Sequence, residues 1–280
     1  MGPLYCAFDA INTALSFGWE DENSCSPACH IGARPLDPLG CAVYAKPLQK
    51  NDGVTGVPQP MFSRALLFDM DGTLTNSDPF HHEAFVEFGK AYGVDIDEPT
   101  FLKYISGQAN ALIFKNLFSH VATEDHPRLA DEKEALFRRL IVGRLKPIDG
   151  LVDVLNWAKE QRVGLAVVSN APRLNVTDML SQLGVAEYFH TIVAGSEVAH
   201  GKPDPLPYLT GLERLGVPAG RAMAFEDAPP GIRAAHAANI FTVGLTTTLD
   251  EAAVKTNGAD LAVPNYQAPA LWEAIGRVLG

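Results

Sequence analysis

The chain has no cysteine beyond Cys41, no long apolar run and too few cations to balance its acids. The four cysteines, Cys6, Cys25, Cys29 and Cys41, all fall within the first sixty residues, so the rest of the chain works without a thiol or a disulfide. Cys25, Cys29 and His30 are loosely spaced for a zinc cluster and no second pair follows; unpaired cysteines in a poorly ordered extension suit the pattern better. Nothing approaches the roughly 18 consecutive apolar residues of a membrane span. A basic segment followed by a compact apolar run is also missing at the start, which makes cytoplasmic residence the expectation. The shortage of Lys and Arg leaves a net charge of −11 and argues against nucleic acid or an anionic membrane as partner, since both need a basic surface. A small anionic substrate would have to meet the few cations, or a metal ion, in one cleft.

What is present divides the 280 residues in two. Residues 1–60 carry scattered Pro and Gly, no sustained periodicity and a terminal run of turn residues, Asn51 to Pro60. Met61 follows just ahead of a strong strand, so the extension reads either as dispensable or as an appendage of its own. Beyond it, short apolar runs recur at Ala65–Met70, Val163–Ser169, Thr191–Ala194, Ala222–Glu226, Phe241–Leu245 and Leu261–Val263. Helix-length amphipathic stretches at Leu151–Glu160, Asn175–Leu183, Leu206–Leu215 and Pro230–Ala238 separate the later ones. Continuous apolar strands alternating with helices predict a parallel sheet covered on both faces. The interval after the first strand is too long for one crossover. It reads as a helical insertion with helices at Pro79–Tyr92, Glu98–Ile105, Asn110–Phe118 and His126–Arg144.

Four of the strands end in polar residues that carry chemistry. The first runs Leu66-Leu67-Phe68-Asp69-Met70-Asp71-Gly72-Thr73. Two acids at the end of an apolar strand need a compensating partner, and residues two apart in extended chain face one side. An acid there can equally cap a helix. The second strand ends in Ser169-Asn170, where a hydroxyl and a free N–H suit a phosphate oxygen as well as ordinary capping. Lys202 follows the third strand in Gly201-Lys202-Pro203-Asp204-Pro205, stiffened by two prolines. Glu226-Asp227 ends the fourth and completes an oxygen set suited to Mg²⁺.

In this order, and on these elements, the four segments resemble the motifs of the haloacid dehalogenase superfamily from about Ser63 to the C-terminus. The insertion resembles the cap of the subgroup that contains phosphoglycolate phosphatases and β-phosphoglucomutases. The resemblance implies an α/β fold, a Rossmann-like parallel sheet with helices on both faces plus an inserted all-helical cap domain. Residues 61–78 and 149–280 would form the catalytic core and 79–148 the cap. It implies a Mg²⁺-dependent phosphatase acting through an aspartyl-phosphate on a small phosphorylated metabolite, a sugar phosphate or a short phosphorylated acid, as a monomer or small homo-oligomer. Asp69 would be the nucleophile and Asp71 the general acid and base. Ser169, Asn170 and Lys202 would hold the phosphoryl oxygens, and Mg²⁺ would sit on Asp69, the backbone carbonyl of Asp71, Glu226 and Asp227.

Several residues separate the alternatives. Asp71 argues against a carbon–halogen dehalogenase, whose leaving halide needs no proton. A phosphonate hydrolase would need a cap lysine; Lys103 and Lys115 lie in the insertion but read as solvated helix faces. A β-phosphoglucomutase is the serious rival, because His81 matches the histidine of its cap hinge. Asn110, however, stands where the mutases carry an arginine, which favours net hydrolysis. A catalytically silent binding relative is the remaining reading. Arg173 could contact a substrate anion or form a helix-surface ion pair. His82 reads as an exposed polar residue, and Trp157, Trp272, Phe85, Phe88, Phe101, Phe114 and Phe118 read as packing.

Overall fold

A computed structural model describes residues 61–280 except Gly107. The cysteine cluster and the extension lie outside the described residues.

Six strands form one all-parallel sheet in the order β3-β2-β1-β4-β5-β6: β1 Ala65–Phe68, β2 Gly164–Ser169, β3 Thr191–Ala194, β4 Ala222–Glu226, β5 Phe241–Leu245 and β6 Leu261–Val263. Alternation along each strand supplies two apolar faces. From β1, Leu66 and Phe68 join one core with helices α5 (Leu151–Glu160), α6 (Arg173–Leu183) and α10 (Pro269–Leu279). Ala65 and Leu67 join the other with α7 (Leu206–Leu215) and α8 (Pro229–Ala237). With β1 fully buried on both sides, every residue in it must be apolar, as it is. The chain builds outward from β1 to β3, then restarts beside β1 with β4. This reversal leaves a crevice at the strands' C-terminal ends, the place where open parallel sheets bind ligands.

Four helices are inserted between β1 and α5: α1 Asp78–Ala91, α2 Glu98–Tyr104, α3 Asn110–Leu117 and α4 His126–Leu140. They pack through buried Phe85, Phe88, Phe101, Phe114, Phe118 and Phe137, so the insertion has an aromatic core of its own making. The two chain passages joining it to the sheet run side by side. Ile148 N–H donates to Leu74 O at 2.9 Å and Thr75 Oγ1 to Lys146 O at 2.8 Å.

Differences from the sequence reading are local. β1 stops at Phe68, so Asp69 lies just beyond it, although its N–H still donates to Phe225 O at 3.0 Å. The last cap helix ends at Leu140 rather than Arg144, where Gly143 turns the chain with φ +67°. α9 (Glu251–Thr256) was not anticipated; Trp272, expected on an amphipathic helix, lies on α10 and meets Trp157 edge-on, so both pack as read.

Candidate active site

Because each strand end is fixed by the sheet register, the loops that follow β1, β2, β3 and β4 converge on a cavity of about 410 Å³ roofed by the helical insertion. Asp69, Asp71, His81, Ser169, Asn170, Lys202, Glu226 and Asp227 all border it.

Lys202 is the hub. Its ammonium is buried and lies 2.5 Å from Asp69 Oδ1 and 2.5 Å from Glu226 Oε1. Glu226 also accepts from Tyr208 Oη on α7 at 2.5 Å. Burial alone would push the ammonium's pKa down, but the two carboxylates outweigh it and raise it. The lysine's position comes from Asn170. That carboxamide accepts from Lys202 N–H at 2.9 Å and donates to Lys202 O at 3.2 Å. Asn170, expected at a phosphate oxygen, thus has its side chain committed to clamping the lysine loop.

Asp69, Glu226 and Asp227 offer carboxylate oxygens within 4.8 Å of one another, all buried. Three acids around one ammonium are undercompensated. Burial, with Glu226 and Asp71 adding to it against the pull of Lys202, pushes Asp69 up to about 8. Burial and Asp69 likewise push Asp227 well above its ordinary value, despite a hydrogen bond from Thr248. Asp227 Oδ1 is buried with no hydrogen-bond partner. Such a set fits a hard divalent cation, which takes oxygen ligands and would relieve the repulsion. Asp227 also needs Gly72, where φ is +73° and an added Cβ would lie 2.0 Å from Asp227 Oδ2.

Asp71 faces elsewhere. Its carboxylate Oδ1 accepts from Ser77 Oγ at 2.5 Å and pairs with His81 Nε2 at 3.4 Å. Burial opposes its charge, but the bonds and charge of His81 and the Ser77 bond hold it below the usual carboxylate range. His81 is itself fixed by parallel stacking on Phe137, centroids 3.9 Å apart. Ser169 Oγ accepts from Ala171 N–H at 3.0 Å, so its own proton is free to donate into the cavity.

Arg173 is a correction. It does not border the cavity, because its guanidinium pairs with Glu197 and donates to Ile192 O at 2.7 Å. Lys103 and Lys115 are exposed, as expected. The cap lysine that does border the cavity is Lys133, which the sequence reading missed. Its Nζ lies 2.6 Å from Glu134 Oε1 and 4.5 Å above the Phe85 ring. A signal existed: Leu129, Lys133, Leu136, Phe137 and Leu140 share one helical stripe, so Lys133 occupies an apolar position. Ser77, Tyr208 and Thr248 were also missed. Tyr208 and Thr248 reach their acids across 18 and 21 residues, which no local pattern encodes.

The comparisons with known proteins agree with this arrangement. A family model described as haloacid dehalogenase-like hydrolase matches residues 66–245. Validoxylamine A 7′-phosphate phosphatase of Streptomyces hygroscopicus subsp. limoneus is 34% identical over 191 residues, 68% of this chain and 89% of its own. β-Phosphoglucomutase of Bacillus subtilis (strain 168) is 30% identical over 190 residues, 65% of this chain and 83% of its own. The crystal structure of CbbY from Rhodobacter sphaeroides in complex with xylulose-(1,5)bisphosphate superimposes with a TM-score of 0.63 at 29% identity, covering 73% of this chain and 95% of that one. No helix among the described residues is long and apolar enough to cross a membrane. With the acid-rich crevice, the helical roof and the matched span in agreement, the chain belongs to the haloacid dehalogenase-like hydrolases and is an enzyme of their phosphatase kind.

Proposed function

We propose that this enzyme is a Mg²⁺-dependent phosphatase that hydrolyses a small phosphorylated metabolite, a sugar phosphate or a short phosphorylated acid, through an aspartyl-phosphate. The observation that carries the proposal is the convergence of Asp69, Lys202, Ser169 and the Glu226–Asp227 pair on one cavity, with Asp71 held separately by Ser77 and His81. In this reading residues 79–148 act as the cap over a core of residues 61–78 and 149–280.

Asp69, Asp227, Glu226 and the backbone carbonyl of Asp71 would hold Mg²⁺. When bound, the ion supplies the positive charge that lets an anionic carboxylate approach an anionic ester. Lys202 and the Ser169 hydroxyl bind the phosphoryl oxygens. A carboxylate oxygen of Asp69 forms a bond to phosphorus as the bond to the leaving oxygen breaks, and Asp71 delivers its proton to that oxygen. Water then attacks the phosphorus of the aspartyl-phosphate, gives its proton to Asp71 and releases phosphate, restoring Asp69. The pairing of Asp71 with His81 favours the ionised carboxylate that must accept that proton in the second half and works against the proton it must carry into the first. Two positioned groups are needed because phosphate monoesters are among the slowest reactions without a catalyst.

The test is turnover of p-nitrophenyl phosphate by the purified protein, with Mg²⁺ and with a chelator. Mg²⁺-dependent release of phosphate that is lost in Asp69→Asn supports the proposal. Absence of turnover on this ester and on a phosphometabolite panel would identify a catalytically silent binding relative. Isomerised product from β-glucose 1-phosphate with its bisphosphate activator, in place of free phosphate, would identify a mutase.

A further inference from the structure

The wall of the cavity opposite Asp69 is built around a buried carboxylate that the chemistry above leaves unused. Glu134, on α4, is 5% exposed and borders the cavity. Its Oε1 accepts from Asn110 Nδ2 at 2.7 Å and pairs with Lys133 Nζ at 2.6 Å. Its Oε2 accepts from Asn175 Nδ2 at 2.5 Å. Asn175 belongs to α6, on the sheet side, and its own Oδ1 accepts from Arg138 Nη1 at 2.7 Å. Burial opposes the charge of Glu134, but Lys133, His81 and Asn110 hold its pKa below the ordinary carboxylate value. A carboxylate has about four acceptor positions. Three are occupied, two on Oε1 and one on Oε2, which leaves one on Oε2, beside the Asn175 carboxamide, for a donor from the cavity.

The charges around this wall are one-sided. Among the described residues that border the cavity, the basic side chains are Lys202, Lys133 and His81. Lys202 is bound by Asp69 and Glu226, Lys133 by Glu134, and His81 by Asp71. No described arginine reaches the cavity. A second anionic group on the substrate would meet Glu134 with no free cation to pair it, whereas a hydroxyl can donate to Glu134 and accept from an amide.

We infer that Glu134, flanked by Asn110 and Asn175, is a specificity-determining residue that reads hydroxyl groups on an uncharged leaving group and turns away substrates carrying a second anion. This inference rests on the phosphatase reading and narrows it to monophosphates of polyhydroxylated, otherwise neutral compounds. Short phosphorylated acids and bisphosphates become poor substrates. The Glu134 carboxylate also keeps the Lys133 ammonium occupied, so making residue 134 neutral would release a cation into the cavity.

The test compares kcat/KM for glucose 6-phosphate, 2-phosphoglycolate, fructose 1,6-bisphosphate and p-nitrophenyl phosphate in the wild type, Glu134→Gln and Asn110→Ala. The wild type should prefer glucose 6-phosphate over 2-phosphoglycolate and the bisphosphate by at least about tenfold, roughly the value of one hydrogen bond to a charged group. Glu134→Gln should lower the ratio of glucose 6-phosphate to p-nitrophenyl phosphate about tenfold, mainly through KM, and improve 2-phosphoglycolate relative to glucose 6-phosphate. Asn110, half-buried at the start of α3, gives a second variant if the first does not fold, and Asn110→Ala should lower the same ratio. An equal fall on all four substrates would make Glu134 a brace between α4 and α6 and overturn the inference. So would a wild type that prefers 2-phosphoglycolate or the bisphosphate, even though the phosphatase reading would survive. No turnover of any of the four esters would overturn both.

Discussion

Replacing Asp69 by Asn should make the metal-free protein more stable while abolishing its activity. Three buried carboxylates cluster together, with the one ammonium of Lys202 pairing two of them, and a proton or a divalent cation must make up the difference. Without metal, burial and the neighbouring acids push Asp69 from 3.8 to about 8. A folded-state value above the unfolded one means that the associated stability is fully present below the ordinary Asp range and is lost as pH rises toward 8. At pH 7 the ceiling on this loss is about 4 kcal/mol, at about 1.4 kcal/mol per unit. Relaxation of a coupled cluster lowers such ceilings, and about 2 kcal/mol is the working expectation. Asn is a neutral isostere that still accepts from Lys202, so it avoids the penalty. For a domain of this size about 2 kcal/mol moves the melting temperature by roughly 4–8 °C. Calorimetry in EDTA should therefore show Asp69→Asn melting higher than wild type at pH 7.5, with the gap closing near pH 4. Saturating Mg²⁺ should raise the wild type more than the variant. A variant that melts lower than wild type at pH 7.5, or a gap indifferent to pH, would refute the reasoning.

Two further perturbations follow from the same geometry. His81→Asn removes the charge and hydrogen bond that hold Asp71 low, so the alkaline limb of the kcat/KM profile, which reports the proton Asp71 delivers to the leaving oxygen, should move to higher pH; an unmoved limb would detach Asp71 from that limb. Gly72→Ala forces a Cβ to 2.0 Å from Asp227 Oδ2 at a backbone φ of +73°, so the Mg²⁺ concentration needed for half-maximal activity should rise at least about tenfold, and the melting temperature should fall, the backbone strain alone costing about 1 kcal/mol or more.

How much of this was legible in the sequence depends on the range over which each feature is encoded. Strand ends were legible because β1, β2, β4 and β5 are buried on both faces over most of their length, and a run of apolar residues closing in Asp69, Ser169 or Glu226 is a local signal. The four-helix insertion was legible from its length and its phenylalanine spacing. α9 escaped because it has six residues and a single buried one, Val254. The partners that set charge were not legible. Tyr208 and Thr248 look like ordinary helix and loop residues until the sheet brings them to Glu226 and Asp227. Asn170 was placed correctly beside the cavity, but its engagement with the Lys202 backbone depends on the β3 loop crossing over it. Arg173 was misplaced for a related reason: one position on a helix decides between facing the crevice and facing Glu197, and the sequence offered both. Lys133 was readable in retrospect, since a lysine on an apolar stripe is costly unless paired, and Glu134 supplies the pair.

Acid-quenched single turnover followed by peptide mass spectrometry tests the central claim most directly. With a monophosphate ester and Mg²⁺, the account predicts one phosphoryl group on the peptide containing Asp69, formed and lost at rates compatible with kcat, and none in Asp69→Asn. A phosphoryl group on another residue, or full turnover without any labelled peptide, would contradict it.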